Sequence, residues 1–188
     1  MQYILNIPRA KKVIFDHLPK CGGSSFRAYL MMQYPDRKIY SIDGENPLES
    51  IRRFQSLPKK DRCNYDLVAG HGARRLFEYA DPSSLKITML REPIDRIVSF
   101  YFFVKQNSRH YLHSRVASCG MSLQEFVASG ISSELQNWYT SHFSGVSADH
   151  IKQNPDEALV NATDVPMKEY DIVGFTDDYS DFTQQVER

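Results

Sequence analysis

Apolar and polar positions along this chain fall into blocks that switch between a strand-like and a helical period. Residues 12–18 form an apolar run around Asp16 and His17, predicted as a buried strand. Residues 25–33 read as a helix, with Phe26, Tyr29 and Leu30 on one face and Pro35 as its stop. A short strand is expected over 38–42. A helix is expected over 47–57, where Leu48, Ile51 and Phe54 recur at helical spacing. Residues 65–71 and 85–90 are short apolar strands ending at Gly70-His71-Gly72 and at Arg91. Pro93 suits the first turn of a helix over 94–106, with Ile97, Val98, Tyr101, Phe102 and Val104 apolar.

Capping chemistry marks the later helices. Ser122-x-x-Glu125 is a capping box, and Gly130 closes the helix it opens. Ser133-x-x-Gln136 reads as a second box, before a helix ending near Gly145, and Asn154-Pro155-x-Glu157 starts a third. Residues 170–175 form a late strand, and Ser180 is expected to cap a helix that is only beginning where the chain stops. Strands alternating with helices predict an α/β fold, a mostly parallel central sheet flanked by helices. One domain over residues 1–188 is expected, with truncation at its C-terminal end left open. Ligands of such sheets bind beyond the carboxyl ends of the strands. Three strands here end in chemically loaded residues: Pro19-Lys20, His71 and Arg91.

Composition narrows the classes. At 41% hydrophobic and 12% aromatic, the 188 residues can bury a sizeable core. Lys+Arg and Asp+Glu both number 23, so bulk attraction to nucleic acid or a membrane surface is not indicated. Three cysteines without C-x-x-C, and six histidines without ligand spacing, give neither a disulfide framework nor a metal site. No run reaches transmembrane length, and residues 1–12 lack the apolar centre of a signal peptide. A reducing, cytoplasmic, bacterial setting is the simplest expectation, or a Golgi lumen if the chain is an excised catalytic domain. The single sequon Asn161-Ala162-Thr163 adds little.

The candidate chemistry begins at Pro19-Lys20-Cys21-Gly22-Gly23-Ser24-Ser25-Phe26. A strand, a Gly-rich turn and a helix start together present unpaired N–H groups at the positive end of a helix dipole. Lys20 adds a full charge. The plain alternative is an ordinary strand-to-helix turn. The order excludes a Walker A loop, in which Lys follows the glycines. A second element reads Arg91-Glu92-Pro93-Ile94-Asp95-Arg96-Ile97-Val98-Ser99-Phe100-Tyr101. Arg91 lies where a strand meets a helix, an apt place for a bidentate phosphate contact. The plain reading there is an amphipathic helix with a solvated Arg96.

Together these two elements resemble the sulfotransferases that use 3′-phosphoadenosine 5′-phosphosulfate (PAPS), especially the carbohydrate branch that includes heparan sulfate 2-O-sulfotransferases. The resemblance implies a P-loop-like sulfotransferase fold. It implies that Lys20, Cys21, Gly22, Gly23, Ser24 and Ser25 hold the 5′-phosphosulfate, and that Arg91 and Ser99 hold the 3′-phosphate. Gly70-His71-Gly72 is similar to the branch's H-G-H segment, with Ala69 in place of its first His. Residues 134–145 and Asp171-Ile172-Val173-Gly174-Phe175-Thr176 are weaker matches, the former without the branch's Arg.

The resemblance also implies in-line transfer of a sulfuryl group to a hydroxyl, with no metal, most naturally on a glycan acceptor. It makes Lys20 and His71 the catalytic residues, Lys20 stabilising charge on the leaving phosphate and His71 acting as general base. His17, Glu78 and Asp16 are the other candidates for a base. Arg74 and Arg75 are expected to meet an anionic acceptor. The polar segment 107–115, with Arg109, His110, His113 and Arg115, reads either as an acceptor cleft or as a solvated loop. Trp138 and Tyr139 read as core or as a sugar-stacking pair.

Two rivals remain at this level. Cys21 and Arg27 form a C-x5-R sequence, the pattern of cysteine-dependent phosphatases. A non-catalytic nucleotide-binding module is the other.

Overall fold

The computed structural model describes residues 11–34 and 38–187. Pro35, the expected helix stop, lies outside them. The elements follow the alternating pattern: β1 (Val13–Asp16), α1 (Gly23–Gln33), β2 (Ile39–Ser41), α2 (Pro47–Ser56), α3 (Lys59–Arg62), β3 (Leu67–Gly70), a 3-10 turn (Ala73–Leu76) and β4 (Leu85–Leu90). Next come α4 (Pro93–Gln106), a π-helical turn (Ser114–Ser118), α5 (Leu123–Ser129), a 3-10 turn (Ser133–Leu135), α6 (Trp138–Ser144), α7 (Ala148–Gln153), α8 (Pro155–Glu169), β5 (Ile172–Phe175) and α9 (Tyr179–Glu187).

The strands form one sheet in the order β2-β3-β1-β4-β5. Every pairing among them is parallel, as α/β alternation predicts. β1 is central, with Phe15 level with Ala69 of β3 and Ile87 of β4. All four of its residues are buried, which explains the near-continuous apolar run in the sequence.

The chain divides into two compact units, one running to Arg91 and resuming at Glu169, the other Glu92–Lys168. In the first unit, alternate strand residues Val13, Phe15, Leu67, Ala69, Ile87 and Met89 pack with Phe26 and Leu30 of α1 and Phe182 and Val186 of α9. Removing an aromatic side chain of this kind from water contributes roughly 1.5–3 kcal/mol. Gly174 of β5 lets α9 approach: a β-carbon there would stand 2.1 Å from Phe182 Cδ2.

The second unit is organised around α4. Phe100, Tyr101 and Val104 pack with Leu112, Val116, Phe126 and Leu135. The Ser122–Glu125 capping box is formed in both directions, and Gly130 closes α5 in the left-handed conformation.

Several boundaries differ from expectation. α1 starts at Gly23, two residues early. Ser133 opens no box: Ser132 accepts from the Glu134 N–H and caps a short 3-10 turn, and α6 begins only after Asn137 in the left-handed region. Ser180 lies inside α9 rather than at its cap. α3 and α7 are too short to leave a periodic pattern in the sequence; Ser147 caps α7 through the His150 N–H.

Candidate functional site

β1 delivers the chain to a turn in which Lys20 (φ 65°) and Gly22 (φ 69°) are both left-handed. For lysine this conformation costs about 1–2 kcal/mol, and a strain of this kind concentrates at functional loops. Gly22 is the N-cap of α1. No side chain caps that end among the described residues, and the first turn carries no acid. Phe26 N–H is the one that reaches back to the Gly22 carbonyl, at 3.5 Å. The N–H groups of Gly23, Ser24 and Ser25 therefore precede the helical ladder, at the positive end of the helix dipole. Gly22, Ser24 and Ser25 are exposed there, and Lys20 is half-buried. An exposed, acid-free helix start beside a lysine suits a phosphate or sulfate group.

Cys21 and Gly23 take a different part. Cys21 is 1% exposed, with Sγ 3.5 Å from the Pro19 carbonyl. Its side chain is turned inward, so it offers a ligand only its main chain. Arg27, the other member of the C-x5-R pattern, donates instead to the Ser41 hydroxyl on β2. A buried thiol and a diverted guanidinium do not make a phosphatase nucleophile and its clamp. Gly23 is buried against the imidazole of His17.

His71 is the first residue after β3, on the strand next to β1. Its Nδ1 lies 2.6 Å from the His17 carbonyl oxygen. A carbonyl only accepts, so Nδ1–H donates, and Nε2 holds the lone pair of a proton acceptor. The ring also stacks on that of His17, with centroids 4.3 Å apart. His17 is itself 8% exposed. Burial first, then the charges of His71, Arg27 and Lys20, hold its imidazole down at about 3 against an ordinary 6.5, with Asp16 opposing.

The alternative bases are placed differently. Asp16 is completely buried; Oδ2 accepts from Tyr170 Oη at 2.7 Å and Oδ1 from the Arg74 main-chain N–H at 3.2 Å. Burial, then the Asp16 charge, push the Tyr170 hydroxyl far above its usual range. Glu78 is exposed. Arg74 is held by Glu169 through Nε–Oε2 at 2.7 Å and Nη2–Oε1 at 3.0 Å, whereas Arg75 is exposed. The network of Asp16, Tyr170 and Glu169 is invisible to sequence reasoning, because Asp16 and Tyr170, 154 positions apart, leave no local pattern.

Arg91 is the first residue after β4, the other neighbour of β1, and is half-buried. Ser99 lies on α4 in the second unit, half-buried. Arg96 departs from the solvated reading. It is 2% exposed, pairs with Glu134 Oε2 at 3.1 Å, and lies 4.8 and 5.5 Å from the ring centres of Trp138 and Tyr139. Trp138 and Tyr139 are thus half-buried covers of a cation. Pro93, Arg96, Ile97 and Trp138 line a cleft of about 310 Å³ in that unit. In the segment 107–115, Arg109 and Arg115 are exposed, but His113 Nδ1 is tied to the Val104 carbonyl at 2.9 Å and His110 packs against Phe100 and Phe103.

No group of three or more His, Cys, Asp or Glu among the described residues could hold a metal ion. No described helix is long and apolar enough to cross a membrane.

Comparison with known proteins bears on the fold and the family of the chain. No curated protein sequence matches the chain. A sulfotransferase from Alicyclobacillus acidocaldarius matches in structure with a TM-score of 0.50 and 17% identity, over 95% of this chain and 78% of that one. At that identity the match speaks for the fold. The family model described as "Sulfotransferase family" matches residues 5–185, nearly the whole sequence. The chain belongs to the sulfotransferase family.

Proposed function

We propose that this protein transfers a sulfuryl group from PAPS to a hydroxyl, most naturally that of a carbohydrate. One observation carries the reading: Lys20, His71 and Arg91 follow three adjacent parallel strands, β1, β3 and β4. Their carboxyl ends lie on one edge of the sheet. From β1 the chain passes to the edge strand β2 and returns through β3 on one side, then crosses to β4 and β5 on the other, and ligands of open α/β sheets bind where the order reverses in this way.

The residues fit the donor. The uncapped start of α1, with the Ser24 and Ser25 hydroxyls, provides donors for a 5′-phosphate. The sequence resemblance assigns the 3′-phosphate contact at this edge to Arg91, the first residue after β4. Bound there, the donor supplies a sulfuryl group whose S–O bond to the 5′-phosphate breaks as the acceptor oxygen forms a new one, leaving the electron pair on the phosphate.

The chain's own residues supply positioning and charge. Lys20 neutralises the leaving phosphate oxygen, and His71 Nε2 takes the acceptor's proton while Nδ1–H stays on the His17 carbonyl. A cleft of about 600 Å³ at the C-terminal end of β2, one strand away from β3, is lined by Tyr40, Ser41, Asp43, Asn46, Glu49 and Arg53. Its hydroxyl and amide groups, with the two carboxylates of Asp43 and Glu49 against the one guanidinium of Arg53, suit a polyhydroxy acceptor better than an acidic one.

The test is transfer from ³⁵S-labelled PAPS to a panel of neutral and acidic oligosaccharides. Transfer that falls at least about 100-fold in Lys20→Ala and in His71→Ala supports the reading. Transfer unchanged in both variants, or none to any hydroxyl acceptor, overturns it.

A further inference from the structure

His71 is held from one side by a second histidine that its own strand does not supply. On β3, Ala69 is level with Phe15 of β1, and Gly70 with Asp16. One step further along both strands, His17 comes level with His71, and the two rings stack at 4.3 Å with an interplanar angle of 26°.

We propose that His17 is a positioning residue for His71, joining the anion-binding loop to the proton acceptor. This inference rests on the reading of His71 as the general base. Three contacts define the placement. The His17 carbonyl takes the His71 Nδ1–H at 2.6 Å. The His17 ring also stacks on Phe15, with centroids 5.7 Å apart and an interplanar angle of 12°. Above it, the absence of a side chain at residue 23 lets the first turn of α1 close on the imidazole. The first turn of α1 and the His71 ring thus share His17 as a packing partner.

The chemistry favours this geometry. With Nδ1–H committed to a carbonyl, Nε2 is the proton acceptor, and one tautomer is fixed. As His71 takes a proton it becomes an imidazolium stacked on a neutral aromatic ring, a favourable cation–π arrangement. A charged His17 would repel it instead. The charged and titratable groups that act on His17 are His71 beyond β3, Arg27 on α1, Lys20 in the loop and Asp16 on β1. The cationic groups and burial keep the ring neutral at the pH where the base works.

The full-length chain, labelled with ¹⁵N-histidine, gives a readout independent of turnover, since ring-nitrogen shifts report the tautomer. His71 is expected as the Nδ1–H form near neutral pH. In His17→Gln, which keeps neutrality but loses the aromatic face, that preference is expected to weaken. The kcat for sulfuryl transfer should fall roughly 10- to 100-fold, as for a misplaced catalytic group, with the KM for PAPS changed less than about twofold. His17→Ala should do the same. An Nε2–H tautomer in the wild-type chain overturns the proposal. So do a tautomer and kcat unchanged in the folded variants. A chain that holds the tautomer, loses it in His17→Gln and transfers no sulfuryl group overturns the proposed function and leaves the positioning in place.

Discussion

Residue 23 begins α1 directly on the ring of His17: a β-carbon there would stand 2.1 Å from His17 Cδ2 and 2.6 Å from Nε2. Gly23→Ala must displace a buried imidazole that also stacks on Phe15 and His71. Overpacking of this kind costs about 1–3 kcal/mol. A fall in melting temperature of several degrees is expected for a chain of this size. Gly44→Ala, where a β-carbon would meet nothing within 4 Å, is the matched control and should melt like the wild type.

Tyr170 donates to a carboxylate that no water reaches. Tyr170→Phe removes the 2.7 Å hydrogen bond to Asp16 Oδ2 and leaves that oxygen buried without it. The expected loss is about 1–3 kcal/mol, read from the shift in urea midpoint at constant m-value.

The ion pair between Arg74 and Glu169 should matter less, despite its two short contacts. Their side chains are 22% and 40% exposed, so solvent screens the attraction. Glu169→Gln is expected to change stability by less than about 1 kcal/mol in the same denaturation experiment, a smaller effect than Tyr170→Phe.

The depressed His17 imidazole makes stability depend on pH. The folded ring stays neutral down to about 3, whereas the unfolded ring binds a proton below about 6.5. As pH falls below 6.5 the unfolded state gains protons that the folded state cannot, and stability drops. The slope from this one group is at most about 1.4 kcal/mol per pH unit, between pH 6.5 and 3. Above 6.5 it contributes none. The wild type minus His17→Gln difference in unfolding free energy, measured from pH 7.5 to 4.5, should show that slope; a flat difference would refute the assignment.

Much of this architecture is written locally. The apolar blocks 13–16, 67–70 and 85–90, each followed by Gly-rich or Pro-bearing chemistry, fix the central parallel strands and the carboxyl edge where Lys20, His71 and Arg91 collect. The Ser122 box and Gly130 define α5 because capping is a short-range hydrogen-bond pattern. What sequence spacing conceals is pairing across strands. Asp16 looks like a free carboxylate until Tyr170 closes over it, and Arg96 looks solvated until Glu134, Trp138 and Tyr139 enclose it. Alternation puts His17 on the same side as Phe15. Only the β1–β3 register brings it to His71, and only the close approach of α1 to the His17 ring explains why residue 23 is glycine.

Calorimetric titration with 3′-phosphoadenosine 5′-phosphate, set against ATP, tests most directly that the edge of this sheet is a PAPS site. Binding of the 3′-phosphorylated nucleotide is predicted to be at least about tenfold tighter than that of ATP. It should weaken by about 2–3 kcal/mol in Arg91→Ala, as for loss of a charge-assisted phosphate contact. No binding, equal affinity for ATP, or an Arg91→Ala chain that binds like the wild type would contradict it.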